Sequence, residues 1–351
     1  MRLFLRLNRP AFRAVTINRK MSARLNLVAV VLFTLTAALA SAQQYTKIVV
    51  FGDSLSDTGN VADLTQVKYG VRVPGPVADY TDGRFTDGMD TVPAAHNYFG
   101  VWIEQLAASL PSKPVIKSSL DGGTNYAYGF ATTGPGTGVF TFGPSDSLSV
   151  VVNNIGQQIT DYLATSPKID DKTLFVVWGG AIDVLNATST KDVIDAGVSQ
   201  ATNIERLVAA GATQFIIPNL PPLGAVPRLN GSPATSIPAT KASVLYNGVL
   251  ALGVGIVRDL NPGKNLKLVQ FDVYSLFNQV IFSPAKFGLV DVTSSSQGLF
   301  TVNPDTFLFW DDLHPTTRGH NILAGVAASL IMPCKGWACE SSELAMAAGQ
   351  R

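Results

Sequence analysis

Apolar positions along this chain fall into two patterns, short continuous runs and longer stretches with helical spacing. The continuous runs are rich in β-branched and aromatic residues and predict strands buried on both faces, at residues 48–51, 173–178, 215–217 and 268–273. Apolar residues spaced three and four apart predict helices at residues 98–110, 154–164, 191–210, 240–260 and 317–331. Strands that alternate with helices predict an α/β fold, with a central parallel sheet covered by helices on both faces.

Two stretches between these elements are rich in Gly, Pro, Asp, Thr and Ser and are expected to be loops. Residues 70–94 are interpreted as a long surface loop, and residues 132–149 as a loop that lines a cleft. The first predicted strand ends at Gly52 and runs into small polar residues around Ser54, which suit a sharp turn and the start of a helix. Open α/β sheets bind ligands at this end of their strands, so Ser54 is a candidate nucleophile.

The segment Phe51-Gly-Asp-Ser-Leu-Ser-Asp-Thr-Gly-Asn60 resembles the first conserved block of the GDSL lipases and esterases, also called SGNH hydrolases. Two further segments of the chain resemble later blocks of the family. They are Gly122-Gly-Thr-Asn-Tyr-Ala-Tyr-Gly-Phe-Ala131 and, near the C-terminus, Phe309-Trp-Asp-Asp-Leu-His-Pro-Thr316. The resemblance covers residues 47–331. It implies a three-layer α/β/α fold of flavodoxin-like type and a carboxylic ester hydrolase that needs no metal or cofactor.

The last block carries the Asp-x-x-His pattern of the family in Asp311 and His314. The resemblance implies that Ser54 is the nucleophile, His314 the base and Asp311 the group that orients the imidazole. Asp312 competes with Asp311 for that role, but the family spacing selects Asp311. The other two histidines, His96 and His320, are expected to be structural.

The family's oxyanion hole is expected to use the N–H groups of Ser54 and Gly129, with the register at Gly129 open by one residue. A third donor is missing. Where the family has Gly-x-Asn-Asp, this chain has Gly180-Ala-Ile-Asp183, and Ile182 has no donor. Loss of one such donor typically reduces the rate by a factor of about 10² to 10³.

The charge distribution and the pattern of residues 1–42 indicate where the protein is sent in the cell. Residues 1–42 hold seven basic and no acidic residues, so residues 43–351 carry 19 Lys and Arg against 25 Asp and Glu. This excess of acidic residues gives no indication of nucleic acid as a partner. An apolar run of about 14 residues ending in Ala40-Ser-Ala42 predicts a secretory signal peptide over residues 1–42, with Met21 as an alternative start. A transit peptide and a retained membrane anchor are the other interpretations.

Export agrees with the cysteine content. The only two cysteines, Cys334 and Cys339, are expected to close a small disulfide loop in a tail of residues 334–351, behind a single hydrolase domain of residues 43–333. Asn186 and Asn230 lie in glycosylation sequons.

We therefore expect a secreted, extracellular and monomeric esterase without a stable membrane span. Its expected substrates are short-chain acyl or carbohydrate acetyl esters, presented on small molecules, polysaccharides or lipids. The alternative is a catalytically impaired relative that binds glycan or lipid, and Ile182 is the residue that favours it.

Overall fold

The structure is a computed structural model that describes residues 45–88, 99–143 and 147–332. The predicted signal peptide, His96, and the proposed disulfide between Cys334 and Cys339 lie outside these residues.

A parallel sheet of four strands organises the described chain. Its strands are β1 (Lys47–Gly52), β4 (Thr173–Trp178), β5 (Gln214–Pro218) and β6 (Lys267–Phe271), in the order β1-β4-β5-β6. Each neighbouring pair is parallel. The α/β fold with a central parallel sheet is therefore confirmed.

Alternate residues of these strands enter two separate hydrophobic cores, which explains why the strands are apolar throughout. Val49 and Phe51 of β1 belong to one core, whereas Ile48 and Val50 belong to the other. Because both faces are covered, every residue of β4 is buried.

The helices in chain order are α1 (Asn60–Tyr69), α2 (Trp102–Ser109), α3 (Ile155–Ala164), α4 (Ala181–Asn186), α5 (Thr190–Ala209), α6 (Pro227–Asn230), α7 (Pro233–Asp259), α8 (Val273–Phe282) and α9 (Thr317–Ile331). Helix α8 was absent from the sequence interpretation, which extended the last strand to residue 273. The strand ends earlier because the Asp272 side chain accepts a hydrogen bond from the Ser275 N–H (3.0 Å) and so caps α8.

Residues 132–149 are not simply a loop, as the sequence had suggested. Strands β2 (Thr137–Phe142) and β3 (Leu148–Asn153) pair as an antiparallel hairpin apart from the main sheet. Phe140 and Val150 point inward while Val139 and Val151 are exposed. This alternation is the period of a half-buried strand, and the glycine and threonine content of the segment masked it.

The segment of residues 70–88 is irregular but is only partly a surface loop. Phe85, Thr86 and Asp87 are buried. The Thr86 hydroxyl donates to the Pro315 carbonyl (3.0 Å), which lies next to the predicted base His314. The segment therefore joins the middle of the chain to its C-terminal block.

Helix α7 begins at Pro233, before the predicted residue 240, and proline is favoured in the first turn of a helix. Among the described helices it is the only one that is long and apolar enough to cross a membrane, judged by length and composition. One face packs on α5. Ile237, Val244 and Leu252 on the other face are exposed.

Candidate active site

The turn that carries Ser54 is built by close approach of β1 to β4. A Cβ atom on Gly52 would lie 2.5 Å from the Trp178 carbonyl oxygen, so only glycine fits at the end of β1. The buried Gln158 amide holds the same glycine from the other side, since it accepts from the Gly52 N–H and donates to the Gly52 carbonyl, both at 2.9 Å. Ser54 is thereby fixed at the carboxyl end of the strand.

The three side chains predicted for an acyl-transfer site lie within hydrogen-bonding distance of one another. Ser54 Oγ is 2.8 Å from His314 Nε2, and Asp311 Oδ2 is 2.7 Å from His314 Nδ1. All three are buried, with 5% to 8% of their surface exposed. A hydroxyl, an imidazole and a carboxylate in this order can pass the serine proton to the imidazole.

The Asp311 carboxylate is held by four hydrogen-bond donors. Oδ1 accepts from the N–H groups of Leu313 (2.7 Å) and His314 (2.6 Å), while Oδ2 accepts from the imidazole and from the Tyr80 hydroxyl (2.8 Å). Burial by itself favours the neutral acid, but His314 and these hydrogen bonds outweigh it and hold the pKa of Asp311 well below its ordinary value. Asp311 is therefore an anion at neutral pH.

Tyr80 is a site residue that sequence reasoning missed. It lies 231 positions before Asp311, in the irregular segment of residues 70–88. Burial and the Asp311 carboxylate raise the pKa of Tyr80 well above 10, so its hydroxyl remains a donor. Its segment, Tyr80 to Gly88, resembles a stretch that family members carry between their first two blocks, but this resemblance assigns no role to Tyr80.

Asp312 points away from the imidazole. Its carboxylate forms an ion pair with Arg228, whose Nε and Nη2 lie 3.0 and 2.8 Å from the two oxygens. Both side chains are substantially exposed. The competing assignment of Asp312 is therefore not supported by the geometry.

The prediction that the Gly129 N–H is an oxyanion donor is wrong. Its N–H donates to the buried Asp57 carboxylate (2.9 Å) and is not available to a substrate. Asp57 also accepts from the N–H groups of Gly59 and Asn60, each at 2.8 Å. Burial raises the pKa of Asp57 to about 6, against these hydrogen bonds. The Gly129 amide thus ties the second block to the start of α1.

Glycine is needed at position 129 for packing. A Cβ atom there would lie 2.5 Å from Cζ of Phe85. The Phe85 ring in turn lies on the His314 imidazole, with ring centroids 5.0 Å apart. Phe85 therefore connects the second block to the base, and its role was not foreseen from the sequence.

Phe130, one residue further on, has a φ of 69°, in the left-handed region that disfavours side chains. Its N–H donates to no other residue in the part of the chain that the structure describes. The same holds for the Ser54 N–H. Backbone strain of this kind concentrates at functional sites.

A pocket opens beside Ser54 and His314, and its walls are mostly apolar. Ile182 is one of the lining residues and is 5% exposed, so the family's asparagine position faces the pocket without a donor. The remaining lining residues are Asp53, Leu55, Trp178, Ala181, Pro221, Leu223, Val226, Phe277, Phe309, Leu313 and Pro315.

His320 is structural in this geometry. It is fully buried, and its Nδ1 accepts the Trp102 N–H at the start of α2 (3.1 Å). Within the described ranges no group of three or more His, Cys, Asp or Glu residues is arranged to hold a metal ion.

The comparisons with known proteins identify the family of the chain. Residues 48–325 match the family model described as GDSL-like lipase/acylhydrolase. The chain belongs to this family. It is a carboxylic ester hydrolase by that membership.

Relatives are similar over most of the chain. A phosphatidylcholine-sterol acyltransferase of Aeromonas hydrophila is 27% identical over 87% of this chain and 95% of its own length. A GDSL esterase/lipase of Arabidopsis thaliana is 27% identical, over 78% of this chain and 83% of that protein. Three further relatives are longer, and the chain spans 50% to 62% of their lengths. A solved G-D-S-L family protein from Veillonella parvula matches with a TM-score of 0.39 at 14% identity, covering 81% of this chain and 97% of that one.

Proposed function

We propose that this GDSL hydrolase cleaves carboxylic esters through an acyl-enzyme on Ser54, with His314 as base and Asp311 as the orienting carboxylate. The observation that carries the proposal is the continuous pair of hydrogen bonds, 2.8 and 2.7 Å, that joins these three side chains. Tyr80 completes the support behind Asp311 through its own hydrogen bond to Oδ2.

The reaction has two halves. Ser54 Oγ bonds to the ester carbonyl carbon while its proton moves to His314 Nε2, and the carbonyl electrons move to the oxygen. The imidazolium gives that proton to the leaving alcohol as the C–O bond breaks. Water then attacks the acyl-enzyme, loses its proton to His314 and releases the acid and the free Ser54 hydroxyl.

The oxyanion needs hydrogen-bond donors, and we assign two backbone amides to it. These are the N–H groups of Ser54 and Phe130, neither of which donates to another described residue. Phe130 replaces Gly129 in this role because the Gly129 N–H already serves Asp57. The left-handed backbone at Phe130 supports the assignment, since such a conformation disfavours a residue with a side chain.

The pocket favours an ester with an apolar acyl group. Leu223, Val226, Phe277 and Phe309 line it beside Ser54, and such walls gain from burial of a hydrocarbon chain. Short to medium acyl esters therefore fit better than the acetyl esters of carbohydrates. Acyl transfer to an alcohol uses the same acyl-enzyme and differs only in the second nucleophile.

We also propose that the domain is exported, on the strength of the basic and apolar pattern of residues 1–42. Asn186 at the end of α4 is exposed and suits a glycan. Asn230 is less suitable, because its amide already donates to the Thr293 carbonyl (2.8 Å) and the Ala225 carbonyl (3.3 Å).

Hydrolysis of p-nitrophenyl acetate, butyrate and octanoate by the purified protein tests the catalytic assignment. We expect turnover, with kcat/KM higher for butyrate or octanoate than for acetate, and a loss of about 10⁴-fold or more in Ser54→Ala. Equal activity of Ser54→Ala and wild type would refute Ser54 as the nucleophile. A silent wild type that becomes active in Ile182→Asn would instead identify a binding protein whose oxyanion hole is incomplete.

A further inference from the structure

The pocket beside Ser54 contains one polar side chain that the mechanism has not used. Among its described lining residues, Asp53, Ser54, Trp178 and His314 carry polar side-chain atoms. Ser54 and His314 are bonded to each other, and the Trp178 indole N–H donates to the Asn219 carbonyl (3.1 Å). Among these polar side chains, Asp53 is the one that is free to form a hydrogen bond with a substrate.

The Asp53 carboxyl is incompletely satisfied. Oδ1 accepts the Leu55 N–H (3.1 Å), whereas Oδ2 has no hydrogen bond to any residue that the structure describes. The neighbouring buried carboxylates differ in this respect. Asp57 accepts several backbone N–H groups, and both oxygens of Asp183 are held by the Thr133 N–H and hydroxyl. Of these three carboxyl groups, only that of Asp53 has an oxygen without a hydrogen bond to a described residue.

The Asp53 Oδ2 atom lies near the segment in which the family has an asparagine and this chain has Ile182. A Cβ atom on Gly179 would lie 3.9 Å from Asp53 Oδ2, and Gly179 stands three residues before Ile182. Ile182 and Asp53 line the same pocket. The position that lacks a donor, Ile182, and the carboxyl group with a free oxygen, Asp53, therefore border the same pocket.

The surroundings favour the neutral acid. Burial raises the pKa of Asp53 to about 7; the Leu55 N–H and His314 oppose this, and the Asp183 carboxylate adds to it. Tyr246, the third titratable group that faces this cluster, donates its hydroxyl to the Gly179 carbonyl (2.8 Å). The Asp53 carboxyl therefore keeps its proton to a higher pH than an ordinary aspartate, and a protonated carboxyl is a hydrogen-bond donor.

We propose that Asp53, in its protonated form, donates the third hydrogen bond to the oxyanion and so takes over the function that Ile182 cannot supply. The proton stays on Asp53 throughout, so no bond of the carboxyl forms or breaks. A protonated aspartate in an apolar site serves an oxyanion in the same way in ketosteroid isomerase. Once ionised, Asp53 loses its donor and repels the oxyanion. This inference rests on the function proposed above.

The test compares pH profiles of kcat/KM for p-nitrophenyl butyrate from pH 5.5 to 8.5. In wild type we expect a fall that approaches tenfold per pH unit above about pH 7. Asp53→Asn keeps a donor of the same shape that does not titrate, so its profile should lack this fall and its value at pH 6 should stay within a few-fold of wild type. Asp53→Leu removes the donor and should lose about 10² to 10³-fold at pH 6.

The inference is overturned if Asp53→Asn keeps the wild-type fall above pH 7, or if Asp53→Leu is as active as wild type. A structural role would make both variants equally poor, and that result would also overturn it. Thermal melting establishes that each variant is folded. If Asp53→Leu does not fold, the profile of Asp53→Asn decides alone.

Restoring the family's amide gives an independent arm. Ile182→Asn should recover most of the activity that Asp53→Leu loses, and should weaken the alkaline fall in an otherwise wild-type chain. No recovery in the double variant would contradict the inference. Ser54→Ala separates the two proposals. If it stays active, the proposed function fails. If it is inactive while Asp53→Asn keeps the wild-type fall in kcat/KM above pH 7, only the role of Asp53 fails.

Discussion

At the scale of single residues, the imidazole is supported from two sides. Asp311 fixes one ring nitrogen, and the Phe85 ring lies 5.0 Å from the ring centre. Each support depends on a further residue, Tyr80 behind the carboxylate and Gly129 behind the phenyl ring. The orientation of His314 is therefore set by contacts that reach beyond the three predicted residues.

Tyr80→Phe removes one donor from Asp311 Oδ2. A hydrogen bond to a charged group contributes about 1.5–3 kcal/mol, so we expect kcat on p-nitrophenyl butyrate to fall about tenfold or more, with KM little changed. Tyr162→Phe is the matched control. Its hydroxyl is buried but has no hydrogen-bond partner among the described residues, so its loss should leave kcat unchanged. Equal kcat values for Tyr80→Phe and wild type would show that Asp311 does not need this donor.

Gly129→Ala places a methyl group 2.5 Å from Cζ of the Phe85 ring, which is too close for two non-bonded carbon atoms. We expect a loss of about 1–3 kcal/mol in the free energy of unfolding and a lower kcat, because the displaced ring contacts His314. Phe85→Leu in the same chain makes room and should recover part of the stability, measured as a double-mutant cycle by urea unfolding. Additive effects of the two substitutions would contradict the contact.

At the scale of elements, α2 (Trp102–Ser109) and α9 (Thr317–Ile331) are joined by one buried histidine. His320 Nδ1 accepts the Trp102 N–H at the first turn of α2, while its Nε2 is buried without a partner in the described structure. Burial, together with His314, lowers the pKa of His320 to about 3. The two helices therefore pack around an imidazole that must stay neutral.

This histidine makes the domain sensitive to acid. In the unfolded chain His320 has its ordinary pKa near 6.5, so its contribution to stability is complete above that pH and is lost as the pH falls toward 3. His320→Asn keeps an acceptor but does not titrate. As the pH falls below 6.5, wild type should lose up to about 1.4 kcal/mol per pH unit relative to this variant.

Urea unfolding at pH 7.5, 6.0, 5.0 and 4.5 measures that difference. The comparison between the two proteins is needed because Asp53 and Asp57, with raised pKa values, change stability in the opposite sense over part of this range. Parallel curves for wild type and His320→Asn would show that the buried imidazole does not govern acid sensitivity.

At the scale of the whole molecule, the sequence predicted the elements that have a strong local signal. Strand β4 and helix α9 begin and end at the predicted residues. The hairpin β2–β3 was missed because its glycine-rich composition obscured the alternation of apolar residues. Helix α8 was missed because the preceding strand was predicted to continue to residue 273. Local pattern thus gave the sheet and most helices, but not every connection between them.

The candidate site divides in the same way. Ser54, Asp311 and His314 are recognisable because each lies in a block with its own spacing, and the structure brings them together. Tyr80 and Asp53 also lie in segments that resemble the family, but nothing in those segments assigns either side chain a role. Their importance depends on what lies near them in space. Tyr80 contacts a carboxylate 231 positions away, and Asp53 shares a pocket with Ile182 of helix α4, where the donor is missing. Such relations are absent from the order of residues.

The separation of 260 residues between Ser54 and His314 has a consequence for how activity arises. Closing so long a loop is among the slow steps of folding, and the imidazole reaches the serine only when the two ends of the domain have come together. Ester cleavage thus reports completion of the chain. A nascent or truncated polypeptide that ends before residue 314 lacks the base and is inactive however well its first half has folded. Recovery of turnover after dilution from denaturant therefore measures when this long-range contact forms.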